Sequence, residues 1–159
     1  MKTKSIDQII VGEEKVLDAI DKKILQLLQE NARMPIKDIA RDVFLSSPAV
    51  SARIERLEKS GIISGYHARL NYQLFGYYTK AFINLEVEPV QKKEFYPFIK
   101  AIPNVVECNC VTGDYAMLIE VAFQTTVQLD HFINELQYFG RTKTLIVFST
   151  SVEHRDVPL

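Results

Sequence analysis

The sequence predicts an α+β chain in two parts, a set of three short helices followed by a four-stranded unit of order βαββαβ. Two observations carry this reading. In the first part apolar residues recur three and four apart, with turn residues between the runs. In the second, short β-branched and aromatic runs alternate with two amphipathic stretches. A chain of 159 residues, 47% hydrophobic and 25% charged, is long enough for one medium domain or two small ones.

Residues 1–16 form an N-terminal extension. Leu17, Ile20, Ile24, Leu27 and Leu28 mark a first helix from Asp18 to Asn31, with Asp18 or Asp21 available to cap its first turn. After the Arg33-Met34 break, Pro35 suits a first helical position, and Ile36, Ile39, Ala40 and Val43 form the stripe of a short second helix. Phe44-Leu45-Ser46 makes a tight connection. The third helix takes Ser47 as N-cap and Pro48 at its first position, with Ser46 as the alternative cap, and Gly61 ends it in a left-handed conformation. The stretch "IISGYHARLN" then reads as an extended linker or wing strand, so the expected domains are 17–62, a linker at 63–76, and 77–159.

In the second part strands are expected at 78–87, 104–112, 115–123 and 142–152, helices at 90–101 and 126–139, and a turn at Gly113-Asp114. This is the ferredoxin-like order. Pro97 falls inside the first of these helices, which should therefore start late or kink. Two helices on one face of the sheet leave the other face needing cover. Ile83, Leu85, Val106, Leu118, Val121 and Ile146 are expected to make that face apolar, which predicts a dimer built through this domain.

No apolar run approaches the ~20 residues that cross a bilayer, and the first residues lack the long apolar stretch of a signal peptide, so a cytoplasmic protein without a membrane partner is expected. Net charge is −1, divided as 12 Lys and Arg against 10 Asp and Glu in residues 1–75, and 7 against 10 in residues 76–159. A mildly basic first half is suited to a polyanion. Cys108 and Cys110 share one face of a strand, too close in sequence for an ordinary bridge, and read as two small buried hydrophobes. His67, His131 and His154 have no ligand spacing. No catalytic residue, metal or cofactor is predicted.

Around the third helix Val50, Ile54 and Leu57 cluster on one side. Pro48, Ala52, Glu55, Arg56 and Lys59 lie opposite, with Ser51 and Arg53 on the flanks. The outward face is slim near its N-terminus and cationic further on. Such a face admits a helix to the major groove of B-DNA and offers donors to the phosphates beside it. A plain three-helix core with a solvated charged face explains the residues about equally well, and the tight turn between the second and third helices favours the DNA reading.

The residues also carry a family likeness. Leu17-Asp18-Ala19-Ile20-Asp21-Lys22-Lys23-Ile24-Leu25 fits L-D-x-x-D-x-x-I-L, and Asn31-Ala32-Arg33 fits N-x-R. Leu45-Ser46, Val50, Arg53-Ile54, Leu57-Glu58, Gly61, Ile63 and Gly65-Tyr66 fit L-S-x-x-x-V-x-x-R-I-x-x-L-E-x-x-G-x-I-x-G-Y at every fixed position. From about Leu17 to Val152 the chain resembles the Lrp/AsnC group of regulators, also called feast/famine regulatory proteins.

The resemblance implies an N-terminal winged helix-turn-helix domain whose recognition helix runs from Ser46 to Lys59, joined by a hinge strand to a C-terminal ferredoxin-like domain that senses a small effector. It implies a sequence-specific regulator of transcription with double-stranded DNA as partner, assembled as a homodimer that closes into a tetramer or octamer. The residues assigned to DNA are Arg33, Ser46, Ser47, Pro48, Ser51, Ala52, Arg53, Arg56 and Lys59, with Arg53 and Arg56 on phosphates or guanine edges. The family's effector turn reads G-D-[YF]-D. Here it keeps Gly113-Asp114-Tyr115 and replaces the second acid with Ala116. Thr142 and Thr144 match a T-x-T element beside it. The effector, an amino acid or related small metabolite, is thus expected near Gly113, Asp114, Tyr115, Ala116, Thr142 and Thr144, with Asp114 taking its amine. The missing carboxylate predicts a different ligand, weak binding or none. By spacing alone these turn residues also fit a plain hairpin.

Two other readings follow from the same architecture. One is an architectural DNA-binding protein that ignores effectors, supported by Ala116. The other is an enzyme similar to the sirohaem decarboxylases. The scattered histidines, and the presence of only Arg141 and Arg155 as arginines in the second half, speak against it.

Overall fold

In a computed structural model, which describes residues 17–159, the helices form where caps and breakers put them. The N-terminal extension expected at 1–16 lies outside the described residues. Helix α1 (Ala19–Glu30) opens with a reciprocal capping box: Asp18 accepts from the Asp21 N–H at 2.7 Å, and Asp21 accepts from the Asp18 N–H at 3.3 Å. Helix α2 (Ile36–Asp42) follows Pro35, which sits at the N-cap, one position earlier than expected. Helix α3 is Ser47–Lys59.

Ser46, the alternative cap, takes the N-cap position of α3. Its backbone is extended (φ −76°, ψ 151°) and its hydroxyl accepts from the Ala49 N–H at 3.4 Å, so Ser47 becomes the first helical residue and Pro48 the second. Ser47 cannot cap because a cap must stand outside helical φ and ψ. Ile24, Leu27, Ile39, Ala40, Val43 and Val50 make the core of the three helices.

Both α2 and α3 end in the same way. After α3 the Gly61 N–H donates to the Glu58 carbonyl (2.9 Å) and the Ile62 N–H to the Leu57 carbonyl (3.0 Å), with Gly61 at φ 72°. After α2 the Phe44 N–H donates to the Arg41 carbonyl (3.3 Å) and the Leu45 N–H to the Ala40 carbonyl (2.9 Å), with Phe44 at φ 55°. This double hydrogen bond around a left-handed residue is the Schellman ending, and glycine is its usual occupant.

Beyond Gly61 the chain is irregular, so of the two readings of 63–76, an extended linker or a hinge or wing strand, the strand does not form. A 3-10 turn spans Tyr72–Phe75. β-Branched content makes a strand only beside another strand, and among the described residues none pairs with this segment. Tyr66 donates its hydroxyl to Glu58 of α3 at 2.9 Å, and burial together with the Glu58 charge pushes its phenol up to about 12.

The second unit has the βαββαβ order, built from β1 (Thr79–Val87), α4 (Lys92–Ala101), β2 (Val105–Cys110), β3 (Met117–Phe123), α5 (Thr126–Gln137) and β4 (Gly140–Ile146). The sheet order is β2-β3-β1-β4, antiparallel at each of the three pairings. Helix α4 starts two residues later than expected and keeps Pro97 inside it. Thr125 and Gln128 form a capping box at the start of α5. Strand β4 ends at Ile146, well short of the expected 152.

The expected make-up of the uncovered sheet face is corrected by the register. Ile83, Leu85 and Val121 are fully buried on the helix-covered side. Ile146 pairs with Ala81 and so shares that side, though it is 47% exposed near the end of its strand. The opposite face carries Phe82, Leu118, Ala122 and Leu145 among Lys80, Glu120, Glu86 and Arg141. Both alternating sets contain apolar residues, so periodicity could not say which one meets the helices. The cysteines also differ from expectation: Cys108 is half-buried, with its thiol pushed up by burial, while Cys110 is exposed. Strand β2 is an edge strand, so its helix-facing side is only partly covered.

The described residues divide into two units, one running to Ala68 and taking in His154–Leu159, the other Arg69–Glu153. The C-terminal tail thus groups with the helices rather than with the second domain, and the Val157 carbonyl accepts from Gln29 Nε2 of α1 at 3.4 Å.

Candidate nucleic-acid interface and effector turn

Helix α3 presents Pro48, Ser51, Ala52, Glu55, Arg56, Glu58 and Lys59 to solvent, while Val50 and Leu57 are buried and Ile54 is half-buried. Ser46 is exposed at its cap, and Ser47 is half-buried. The slim tip is therefore open: four small or short side chains, Ser46, Pro48, Ser51 and Ala52, stand at one end of the helix. Lys59, at the other end, pairs with Glu55 one turn back, a surface contact of small energetic weight. Arg33 is exposed in the turn between α1 and α2, where the Asn31 side chain accepts from its backbone N–H.

The two arginines of α3 assigned to DNA are placed differently from the rest. Arg53 Nη1 donates to Asp18 at 2.6 Å and to Asp21 at 2.8 Å, and Arg56 Nη2 donates to Asp21 at 2.5 Å. Asp21 is wholly buried, so these bonds fasten α3 to the start of α1. Burial alone would raise the Asp21 carboxyl; hydrogen bonds from Arg56, Arg53 and the Asp18 backbone outweigh it and hold the group below the usual carboxylate range. Asp18 is lowered by the Asp21 N–H and Arg53, and Arg53 is raised in turn by Asp18 and Asp21. The sequence reading missed this cluster. Its only trace there is an Asp pair three apart on one helix and an Arg pair three apart on another, and spacing along the chain cannot show that two such pairs meet.

In the second unit the loop between β2 and β3 is closed by a hydrogen bond from the Val111 N–H to the Ala116 carbonyl at 3.0 Å. Gly113 adopts φ 116°, which a side chain would strain, and Asp114 is exposed. Tyr115 is half-buried, with the Arg141 guanidinium 5.3 Å from its ring centre. Arg141 also pairs with Glu86 at 3.1 Å. The loop therefore reaches across the end of the sheet to β4. Thr142 and Thr144 pair with the buried Leu85 and Ile83, which places them on the helix-covered side, opposite Arg141. Of the six residues assigned to an effector, the turn gathers Gly113 to Ala116, while the two threonines sit on the far face of β4. A separate cleft of about 380 Å³ lies between α4 and β2, lined by Tyr96, Lys100, Cys108, Cys110 and Met117 among others, and none of the six lines it.

Among the described residues no His, Cys, Asp and Glu group has the arrangement of a metal site, and no helix is long and apolar enough to cross a membrane.

Comparison with known proteins gives two matched parts in the same order. Residues 17–64 match the family model for a winged helix-turn-helix DNA-binding domain, and residues 80–157 match the Lrp/AsnC ligand binding domain. The HTH-type transcriptional regulator LrpA of Bacillus subtilis is 35% identical over 133 residues, covering 83% of this chain and 98% of that protein. The regulator FL11 of Pyrococcus furiosus is 30% identical over 147 residues, covering 91% and 97%. Among solved structures, a transcriptional regulator of Neisseria meningitidis in complex with L-Met superposes with a TM-score of 0.83 at 27% identity, covering 91% of this chain and 96% of that one. A feast or famine regulatory protein of M. tuberculosis complexed with L-methionine superposes at 0.85 with 26% identity, covering 91% and 100%. With both domains matched in order over nearly their whole length, the chain belongs to the Lrp/AsnC family of transcriptional regulators.

Proposed function

We propose that this DNA-binding regulator reads the major groove with the N-terminal end of α3, and that its second unit senses an amino acid or related metabolite at the 113–116 turn. The observation that carries the first half is the open tip of Ser46, Pro48, Ser51 and Ala52, small enough for backbone and hydroxyls to reach base edges. Arg53 holds that helix in place through Asp18 and Asp21. Arg56 is 56% exposed and gives one Nη to Asp21, leaving donors of its five for a phosphate, as Lys59 and Arg33 also do. A duplex recovered by in vitro selection with the full chain should bind with log K falling linearly against log salt, by about 0.9 per phosphate neutralised. Binding that ignores salt, or the absence of any bound duplex, defeats this reading.

For the effector, Asp114 is the exposed carboxylate of the turn and suits an ammonium group. A second copy of the chain, covering the sheet face of Phe82, Leu118 and Leu145, would make a dimer and build toward the tetramer or octamer of the resemblance. L-Methionine heads a thermal-shift screen of the amino acids, because two structural neighbours hold it. A ligand at a hundred times its Kd adds about 2.7 kcal/mol to stability. Asp114→Asn should remove most of a charge-assisted contact of about 1.5–3 kcal/mol while sparing DNA binding without ligand. Light scattering on the same samples should give a dimer or larger rather than the 18.2 kDa chain. If no amino acid shifts the parent at millimolar concentration, the architectural reading replaces the sensor. Such a regulator works in the cytoplasm, where its DNA is.

A further inference from the structure

Phe44 combines two liabilities that a folded chain ordinarily avoids. Its backbone is left-handed at φ 55°, the region that disfavours every residue with a Cβ and an aromatic ring more than most, and its side chain is 94% exposed. The chain itself supplies the comparison. The ending of α3 uses the same pair of hydrogen bonds around the left-handed residue and fills that position with Gly61, the strain-free choice. Nothing in the first helical core needs the ring, since the apolar contact of the α2 ending is made by the next residue, Leu45, packed against Ile24, Ile39 and their neighbours. Among the described residues, therefore, nothing relieves the strain or covers the exposed apolar surface.

The place of Phe44 says what relieves them. It stands two residues before Ser46, the N-cap of α3, so its backbone adjoins the small-residue tip. A helix that enters the major groove by its N-terminus brings the preceding turn against the wall of that groove. There the duplex offers thymine methyl groups and deoxyribose carbons, the apolar partners an aromatic ring accepts. We infer that Phe44 is a DNA-contacting residue, making an apolar contact with the duplex beside the recognition helix and adding selectivity to the polar contacts of the tip. This rests on the reading of α3 as the DNA-facing helix.

The test uses the full chain and the duplex selected with it. Phe44→Gly and Phe44→Asn both suit the left-handed position and remove the ring. Each should melt no lower than the parent and bind the selected duplex about tenfold more weakly, with the salt slope unchanged because no phosphate contact is lost. Phe44→Tyr, which keeps the ring, should bind within about twofold of the parent, since the apolar contact is retained. Replacing thymine by uracil in the duplex separates the two apolar partners. If the methyl is the contact, the parent weakens on the uracil duplex and Phe44→Gly does not. If deoxyribose is the contact, Phe44→Gly shows the same deficit on both duplexes. Phe44→Gly binding as tightly as the parent overturns the inference and leaves the DNA reading of α3 intact. A Phe44→Gly protein that melts well below the parent shows a structural ring and also overturns it. A parent that binds no duplex removes both.

Discussion

Asp21→Ala should lower the stability of the first unit by about 2 kcal/mol, the loss of the charge-assisted hydrogen bonds that the buried carboxylate accepts from two arginines. The larger cost of a buried, unpaired charge does not arise, because Arg53 keeps Asp18 and the Arg53 and Arg56 side chains, 28% and 56% exposed, regain some water. Asp21 is itself fully buried and accepts from both arginines, so its loss also detaches α3 from the start of α1. Denaturant unfolding of parent and variant near neutral pH measures this directly, and equal midpoints would show that the cluster carries no net stability. The same cluster fixes the acid response. The folded Asp21 carboxyl lies below its ordinary value of 3.8, so its contribution is present above that pH and is lost as pH falls through the folded value. Asp21→Asn keeps the shape without the titration. Its unfolding midpoint should be lower at neutral pH and should change less than the parent's as the solution is acidified below about pH 4.

Gly140→Ala should have an effect of similar size in the second unit. A Cβ built on Gly140 would stand 1.8 Å from the Glu86 carbonyl oxygen and 2.9 Å from the Glu86 carbonyl carbon, and the residue sits at φ 149°. The neighbouring atoms are backbone of β1, which pairs with β4 through Glu86↔Arg141 and Val87↔Gly140, so relief requires the start of β4 to move off the sheet. Overpacking and backbone strain together give about 3 kcal/mol. For a unit of this size that is a fall in Tm of more than about 10 °C. The displacement would also carry Arg141 away from Glu86 and Tyr115, so the 113–116 turn should loosen in the same variant. A Tm within about 2 °C of the parent would show that β4 adjusts freely at its first residue.

The sequence by itself determined the order and nature of the elements, because those depend on local chemistry. Ser46 or Ser47 before Pro48, Gly61 after Lys59, and the β-branched runs at 79–87 and 117–123 each act within a few residues of themselves. The motifs from Leu17 to Tyr66 and the Gly113-Asp114-Tyr115 turn were legible for the same reason, and they led to the family that the domain matches show. What the tertiary structure decided depends on which distant groups meet. That Arg53 spends its donors on Asp18 and Asp21 follows from how α1 and α3 pack, and no spacing within either helix contains it. The face of the sheet that meets α4 and α5 was settled by the fully buried Ile83, Leu85 and Val121, where two apolar sets had alternated equally well. The strain at Phe44 and the close approach of backbone at Gly140 are likewise facts of three-dimensional closure. One arises where a helix must turn back within two residues, the other where a strand begins against the carbonyl of its neighbour.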